Sequence, residues 1–247
     1  MSNRFPSPLL HNRPAPRKWI EEAKFTGSRE DVITEYVSSG TVLDLGVVDG
    51  RRAFSAEENL ENFSTSLHEH IRRLNPSVVG VDYDAHGVQI LKQHGYNVVC
   101  ADVESMDLKQ QFDTVVGGEI IEHLPNPGRA LATIRKHLKP SGRLILTTCN
   151  PFFIRQVWNI LRYNNVRVHE EHTAWFDPHT IGWLLWISGY EIEQLYWLGS
   201  RRLGSWYKAW PAWLRSYFNP HFLVVAKSLD RRQGPDATTV EDVQRVT

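Results

Sequence analysis

Short apolar runs that stop abruptly at small or acidic residues alternate along this chain with stretches of helical period. That rhythm predicts a parallel α/β sheet. Four runs read as buried strands: Thr41-Val-Leu-Asp-Leu-Gly46, Val78-Val-Gly-Val-Asp82, Val98-Val-Cys-Ala-Asp102 and Asp113-Thr-Val-Val116, the last stopping at Gly117-Gly118. Continuous β-branched runs of this length, bounded by turn residues, fit strands covered on both faces. Between them, spacings of three and four predict helices. Ser28-Arg-Glu-Asp31 caps one that runs through Val37 and stops at Ser38-Ser39-Gly40. Others cover residues 66–74 and 85–94, the second closed by Gly95. Asn126-Pro127 starts a further helix with Leu131, Ile134 and Leu138 on one face, and the turn Lys139-Pro-Ser-Gly142 delivers a strand over 143–148. Strand, loop, helix and strand in this order demand a right-handed parallel crossover. Ligands of such sheets bind at the carboxyl ends of the strands.

Towards the C-terminus the pattern predicts helices over 151–163 and 178–188 and strands over 190–198 and 221–226. Between those two strands lies SWYKAWPAWLRSYF, with three of the nine tryptophans. On a helix Trp206, Trp210 and Trp213, four and three apart, would share one stripe, flanked by Arg201, Arg202, Lys208 and Arg215. At least one of these rings is expected to line an acceptor cleft, while most of them are expected to pack inward. Inward packing leaves their cations snorkelling outward, and a third reading sets the rings against a membrane surface. Pro211 interrupts any continuous helix there. The expected organisation is an N-terminal arm over 1–27, one domain over 28–228 with an insertion at 199–219, and a polar, turn-rich tail over 229–247.

Bulk composition narrows the function classes. At 247 residues the chain suits one domain with one core. Lysine plus arginine equals aspartate plus glutamate at 28 each, which argues against nucleic acid as a partner. Cys100 and Cys149, both at predicted strand ends, read as buried free thiols of a reducing compartment. No apolar run reaches membrane-spanning length and the proline-rich start does not resemble a signal peptide, so the expected location is cytoplasmic.

The segment FDTVVGGEIIEHLPNPGRALATIRKHLKPSGRLILTTCNPFF, Phe112 to Phe153, together with the ordered strand ends before it, resembles the class I S-adenosylmethionine-dependent methyltransferases. It is most similar to small bacterial members that read FDxVxxxExIEHLxxPxxxLxxxxxxLKPxGxLxxTTPN, and the resemblance runs from about Thr41 to Ala226. It implies a Rossmann-like, seven-stranded, mostly parallel sheet with helices on both faces and an antiparallel final strand. It also implies S-adenosylmethionine as methyl donor. Asp82, followed by Tyr83, is expected at the ribose, and Asp102 with Val103 at the adenine. The main chain around Asp44, Gly46, Gly50 and Gly118 is expected near the methionine end. One position departs from the family, which reads GxGxG where this chain reads Gly46-Val-Val-Asp-Gly50. Val48 stands where glycine allows close approach or positive φ. The long polar stretch 51–64 that follows fits a rebuilt loop.

Methyl transfer makes modest demands: the acceptor must be aligned, and an oxygen acceptor gains from a base titrating near neutrality. Histidine suits that role. His123 lies just past the fourth strand, and His169 and His172 lie on the connection after the fifth. His172 opens a stretch resembling the family's H-x-x-W-F-x-P segment, so His123 and His172 are the candidate bases. Glu119, Glu122, His123 and His172 also resemble the metal-binding set of enzymes that 2′-O-methylate RNA 3′ ends. The same EIIEHL letters occur in metal-free relatives, and the neutral composition offers no phosphate-tracking surface, so no metal is expected. The leading expectation is O-methylation of a small-molecule or glycan acceptor. Its rival is a non-catalytic binder or membrane-surface protein with an altered cofactor turn.

Overall fold

The computed structural model describes residues 18–48, 63–164, 169–199, 211, 214 and 216–229. In chain order the elements are α1 (Lys18–Glu21), β1 (Lys24–Thr26), α2 (Arg29–Val37), β2 (Val42–Leu45), α3 (Leu67–Leu74), β3 (Val79–Asp82), α4 (Ala85–Gln93), β4 (Val98–Cys100), β5 (Phe112–Gly118), α5 (Pro127–Lys136), β6 (Leu138–Cys149), α6 (Ile154–Tyr163), α7 (Pro178–Ile187), β7 (Tyr190–Leu198) and β8 (His221–Ser228). Short 3₁₀ turns, Ile121–His123 and Ser216–Phe218, precede α5 and β8. The helices begin where side-chain oxygens satisfy their first amides. Ser28 accepts from the Asp31 N–H and Ser66 from the Glu69 N–H. Asp177 and Thr180 form a reciprocal capping box at α7.

All eight strands form one sheet in the order β1-β7-β8-β6-β5-β2-β3-β4. β2 through β6 pair in parallel, and β8 runs antiparallel between β6 and β7. Successive strand residues face opposite layers. Val115, Leu144 and Leu146 join Leu131, Ile134, Ile181 and Leu185 of α5 and α7 on one face. Val116, Ile145 and Val225 join Val32, Ile33 and Ile71 of α2 and α3 on the other. This is the expected Rossmann-like class, with the antiparallel strand last in sequence.

The strand count differs from the seven expected. The eighth, β1, lies inside the stretch read as an arm, and pairs in parallel with β7 through Lys24↔Tyr196, Phe25↔Trp197 and Thr26↔Leu198. Three residues are too few to show an alternation, so the sequence pattern could not mark it. Trp19 of α1 is held on α7, where a Cβ built on Gly182 would come within 2.5 Å of its ring. Leu229, read as the first residue of a polar tail, is buried, and its N–H donates to Gly189 O. β6 begins at Leu138, earlier than expected, because Leu138 pairs with Phe112 across an irregularity in register. Cys100 is exposed on the edge strand β4 and Cys149 is half-buried, so neither is the fully buried thiol expected. Among the described residues no helix is long and apolar enough to cross a membrane.

Candidate functional site

The carboxyl ends of β2, β3, β4 and β5 lie side by side, and each contributes a residue singled out in the sequence. Gly46 ends β2 in the left-handed region, φ 72°, and its N–H donates to Val81 O. Asp82 ends β3 with its carboxylate buried. Its Oδ2 accepts the Val48 N–H at 2.8 Å and its Oδ1 the Asp84 N–H at 2.9 Å. Burial raises its pKa, and those two amides oppose the rise. Each oxygen keeps a lone pair for a further donor. Tyr83, beside it, is 81% exposed. Asp102 is exposed and accepts the Glu104 N–H, while the Val103 side chain belongs to the core. An acid with spare acceptor capacity, a second open acid and an uncovered aromatic ring at adjacent strand ends fit an adenosine. These residues would hold S-adenosylmethionine.

Val48 fits its turn without strain. The left-handed non-glycine residues among those described are Lys109, Glu119 and Asn164, so Val48 holds an ordinary φ. Its side chain lies over Gly87 of α4, where an added Cβ would meet Val48 Cγ1 at 2.6 Å. The Asp44 side chain turns into the protein: its buried Oδ2 stands 2.9 Å from His68 Nδ1 on α3. The missing side chain of Gly118 admits Leu67, 2.6 Å from a Cβ built there, and Arg29 Nη1 lies 3.5 Å from the same point. Gly50, Trp206, Trp210 and Trp213 lie outside the described residues.

The second half of the site grows from the end of β5. Glu119 takes the left-handed conformation, φ 55°, and its N–H donates to both the carbonyl and the hydroxyl of Thr147. A non-glycine residue held there at a strand end is a mark of a functional turn. The turned chain sends Ile120 back across Gly46, 3.1 Å from a Cβ built on that glycine, so the two turns touch. Glu119 Oε1 stands 2.9 Å from His221 Nδ1 on β8, off the line of a hydrogen bond. Glu122 points into the core. Burial, with the Glu119 charge adding, pushes its pKa up to about 7. Neither of its oxygens has a partner in good hydrogen-bond geometry, although the Thr148 hydroxyl and the Cys149 amide are close enough to favour the charged form.

His123 and His172 do meet, although 49 residues separate them in the numbering. Thr173 is the reason. Its N–H and hydroxyl both reach Glu122 O, at 2.8 and 3.0 Å, and the hydroxyl reaches Leu124 O at 2.8 Å. This clamp lays the connection before α7 on the 3₁₀ turn. The His123 and His172 rings stand edge to face, centroids 4.6 Å apart, with the His169 ring 5.6 Å from His123 and 5.8 Å from His172. Ligand-capable atoms of His123, His169 and Glu171 lie within 4.8 Å of one another. That trio, rather than the Glu119, Glu122, His123 and His172 quartet, is the metal-capable group gathered among the described residues. Sequence reading missed Arg29 and His221, which no local motif marks.

A groove of about 1000 Å³ also runs between residues 104–111 and α5. Its buried polar groups are satisfied internally, Glu104 by Asn126 and His137 by Thr133 O and the Leu108 N–H.

Comparison with known proteins identifies the domain. The sequence profile of a methyltransferase domain matches residues 12–195. The ubiquinone biosynthesis O-methyltransferase of Bradyrhizobium sp. (strain ORS 278) is 34% identical over 90 residues, covering 34% of this chain and 36% of that protein. The protein of the same name from Rhodopseudomonas palustris (strain HaA2) is 28% identical over 134 residues, covering 52% and 51%. The chain thus matches between about a third and half of the length of these relatives. The structure of the CcbJ methyltransferase from Streptomyces caelestis superposes with a TM-score of 0.56 at 13% identity, over 82% of this chain and 89% of that one, a likeness of fold.

Proposed function

This chain belongs to the class I S-adenosylmethionine-dependent methyltransferases, and from that premise we propose that it transfers the methyl group to an oxygen of a small molecule. The observation that carries the reading is the imidazole cluster formed by His123, on the turn that touches Gly46, with His169 and His172 of the connection clamped to that turn. Relatives named for O-methylation in ubiquinone biosynthesis support the same acceptor atom. When bound, the cofactor supplies a methyl group on a sulfonium, a leaving group that needs no acid.

The protein's part is to hold, align and deprotonate. Asp82 would take the nucleoside hydroxyls and Asp102 the adenine edge. Arg29, whose Nη1 lies over Gly118, would meet the carboxylate of the methionine end. His123 accepts the acceptor's hydroxyl proton as its oxygen becomes nucleophilic, and the edge-on His172 ring orients it. The clamped connection excludes water from the reacting oxygen. A phenolic or sugar hydroxyl suits this arrangement, and the balanced charge of the chain counts against RNA. The aromatic stripe expected at 199–219 would add acceptor or membrane contacts from residues outside those described.

Incubation with methyl-labelled donor and a panel of phenolic and sugar hydroxyls, read by mass spectrometry, tests the reading. A methyl ether is expected. His123→Ala is expected to lower kcat by about 10²–10⁴-fold with donor affinity unchanged. Label on nitrogen or carbon, or full activity in His123→Ala, would refute it. A metal-independent reaction is expected, so chelator should leave turnover intact. Activity lost to chelator and restored by a divalent ion would assign His123, His169 and Glu171 to a cation instead.

A further inference from the structure

α6 turns much of its apolar side outward. None of its residues is buried, yet its sequence IRQVWNILRY is strongly two-sided. Ile154, Trp158 and Leu161, four and three apart, form one stripe, and that stripe faces solvent: Trp158 is 61% and Leu161 77% exposed. Phe152 and Tyr163 extend the exposed apolar surface at either end. The side turned inward, towards the Ser216–Phe218 turn, carries half-buried Gln156 and Asn159 with Val157 and Ile160. An ordinary surface helix does the opposite. Arg155 and Arg162, both exposed and two turns apart, line one edge of the stripe, and no residue of α6 is acidic.

We propose that α6 docks the protein on an anionic lipid surface, lying in the headgroup plane with Trp158 and Leu161 inserted and the two arginines on lipid phosphates. An apolar face carrying Trp and Leu beside an arginine edge is the composition of interfacial helices. Charge complementarity selects lipid over a second copy of the chain. An antiparallel two-fold contact between identical helices brings their arginine edges together, and neither helix carries an acid to pair them. The helix follows the carboxyl end of β6, on the same edge of the sheet as Gly46, Asp82 and His123. A bilayer at α6 therefore borders the acceptor side. The inference goes beyond the methyl-transfer reading, and vesicle binding requires neither donor nor acceptor, so either can fail alone.

Co-sedimentation of the full chain with vesicles tests it. Vesicles containing phosphatidylglycerol should retain the protein, and pure phosphatidylcholine vesicles should retain it at least about tenfold less well. The difference should shrink at high salt as the headgroup charges are screened. Leu161→Glu and Trp158→Glu should each weaken retention about tenfold or more, and Arg155→Gln with Arg162→Gln should abolish the preference for anionic lipid. These side chains are exposed, so melting temperature and donor affinity should stay at wild-type values. A variant that fails to fold leaves the lipid preference and salt dependence of the wild type as the deciding readings. Absence of retention on anionic vesicles, or variants that bind like wild type, would overturn the proposal. So would a dimer that Leu161→Glu dissociates in a protein indifferent to vesicles, which would give the face to a second copy.

Discussion

Val48 occupies a glycine's place in the cofactor turn because two neighbours make room for it. Asp82 accepts its N–H, and Gly87 leaves the space its methyls fill. The sequence shows the departure at Val48, but the compensating glycine lies 39 positions away and only the folded chain brings the two together. Glu119 is the reverse case, a residue with a Cβ forced left-handed at a cost on the order of 1 kcal/mol. Thr147 holds it there through two hydrogen bonds. Below it, Glu122 makes a pH signature. Its folded pKa, about 7, lies above the ordinary value of 4.5, so the folded state binds the extra proton between those limits. Its contribution is therefore fully present below about pH 4.5, falls as pH rises towards 7, and is lost above that. Glu122→Gln removes the titration. Its stability relative to wild type should climb by about 1–3 kcal/mol between pH 4.5 and 7.5 and then level off, as read by denaturant melts. A difference that is flat with pH would mean that Glu122 ionises freely in the fold.

At the scale of elements, the connection that carries His169 and His172 matters through where it is pinned. Residues 169–174 form neither helix nor strand, and Thr173 fixes them to the 3₁₀ turn through both its amide and its hydroxyl. Thr173→Val keeps the shape and the amide bond but removes the hydroxyl. Loss of about 1–2 kcal/mol of stability is expected. The acceptor's KM should rise several-fold while donor affinity holds, because Gly46 and Asp82 lie on other elements. An unchanged acceptor KM would show that the connection is positioned by something else. His123 and His172 were both visible as letters, one in the EHL turn and one before Trp175-Phe176. Their meeting was not, because Thr173 is an unremarkable residue whose partners are main-chain carbonyls. The helices from α2 to α7 were legible to within a few residues, whereas the single turn α1 lay in the stretch read as an arm. The outward face of α6 was not, because periodicity gives a stripe but not the direction in which it points.

For the whole molecule, sheet order does the assembling. Parallel β2, β3, β4 and β5 deliver Gly46, Asp82, Asp102 and Glu119 to one edge, and β8, running the other way, returns His221 to the same end beside Glu119. The central strands were readable because buried parallel strands are continuous apolar runs with abrupt ends. β1 was not, being three residues that pair, among the described strands, with β7 alone. Arg29 and His221 escaped notice for a related reason, since each gains meaning only from a strand or helix packed beside it. The account as a whole rests on a donor nucleoside held across the ends of β3 and β4. Titration calorimetry of S-adenosylmethionine into the full chain, wild type beside Asp82→Asn and Asp82→Ala, measures that directly. Saturable one-to-one binding is predicted, weakened in the variants by about 1.5–3 kcal/mol, the cost of a hydrogen bond to a charged group, with melting curves confirming that they fold. Absence of binding at millimolar donor, or equal affinity in all three proteins, would contradict it.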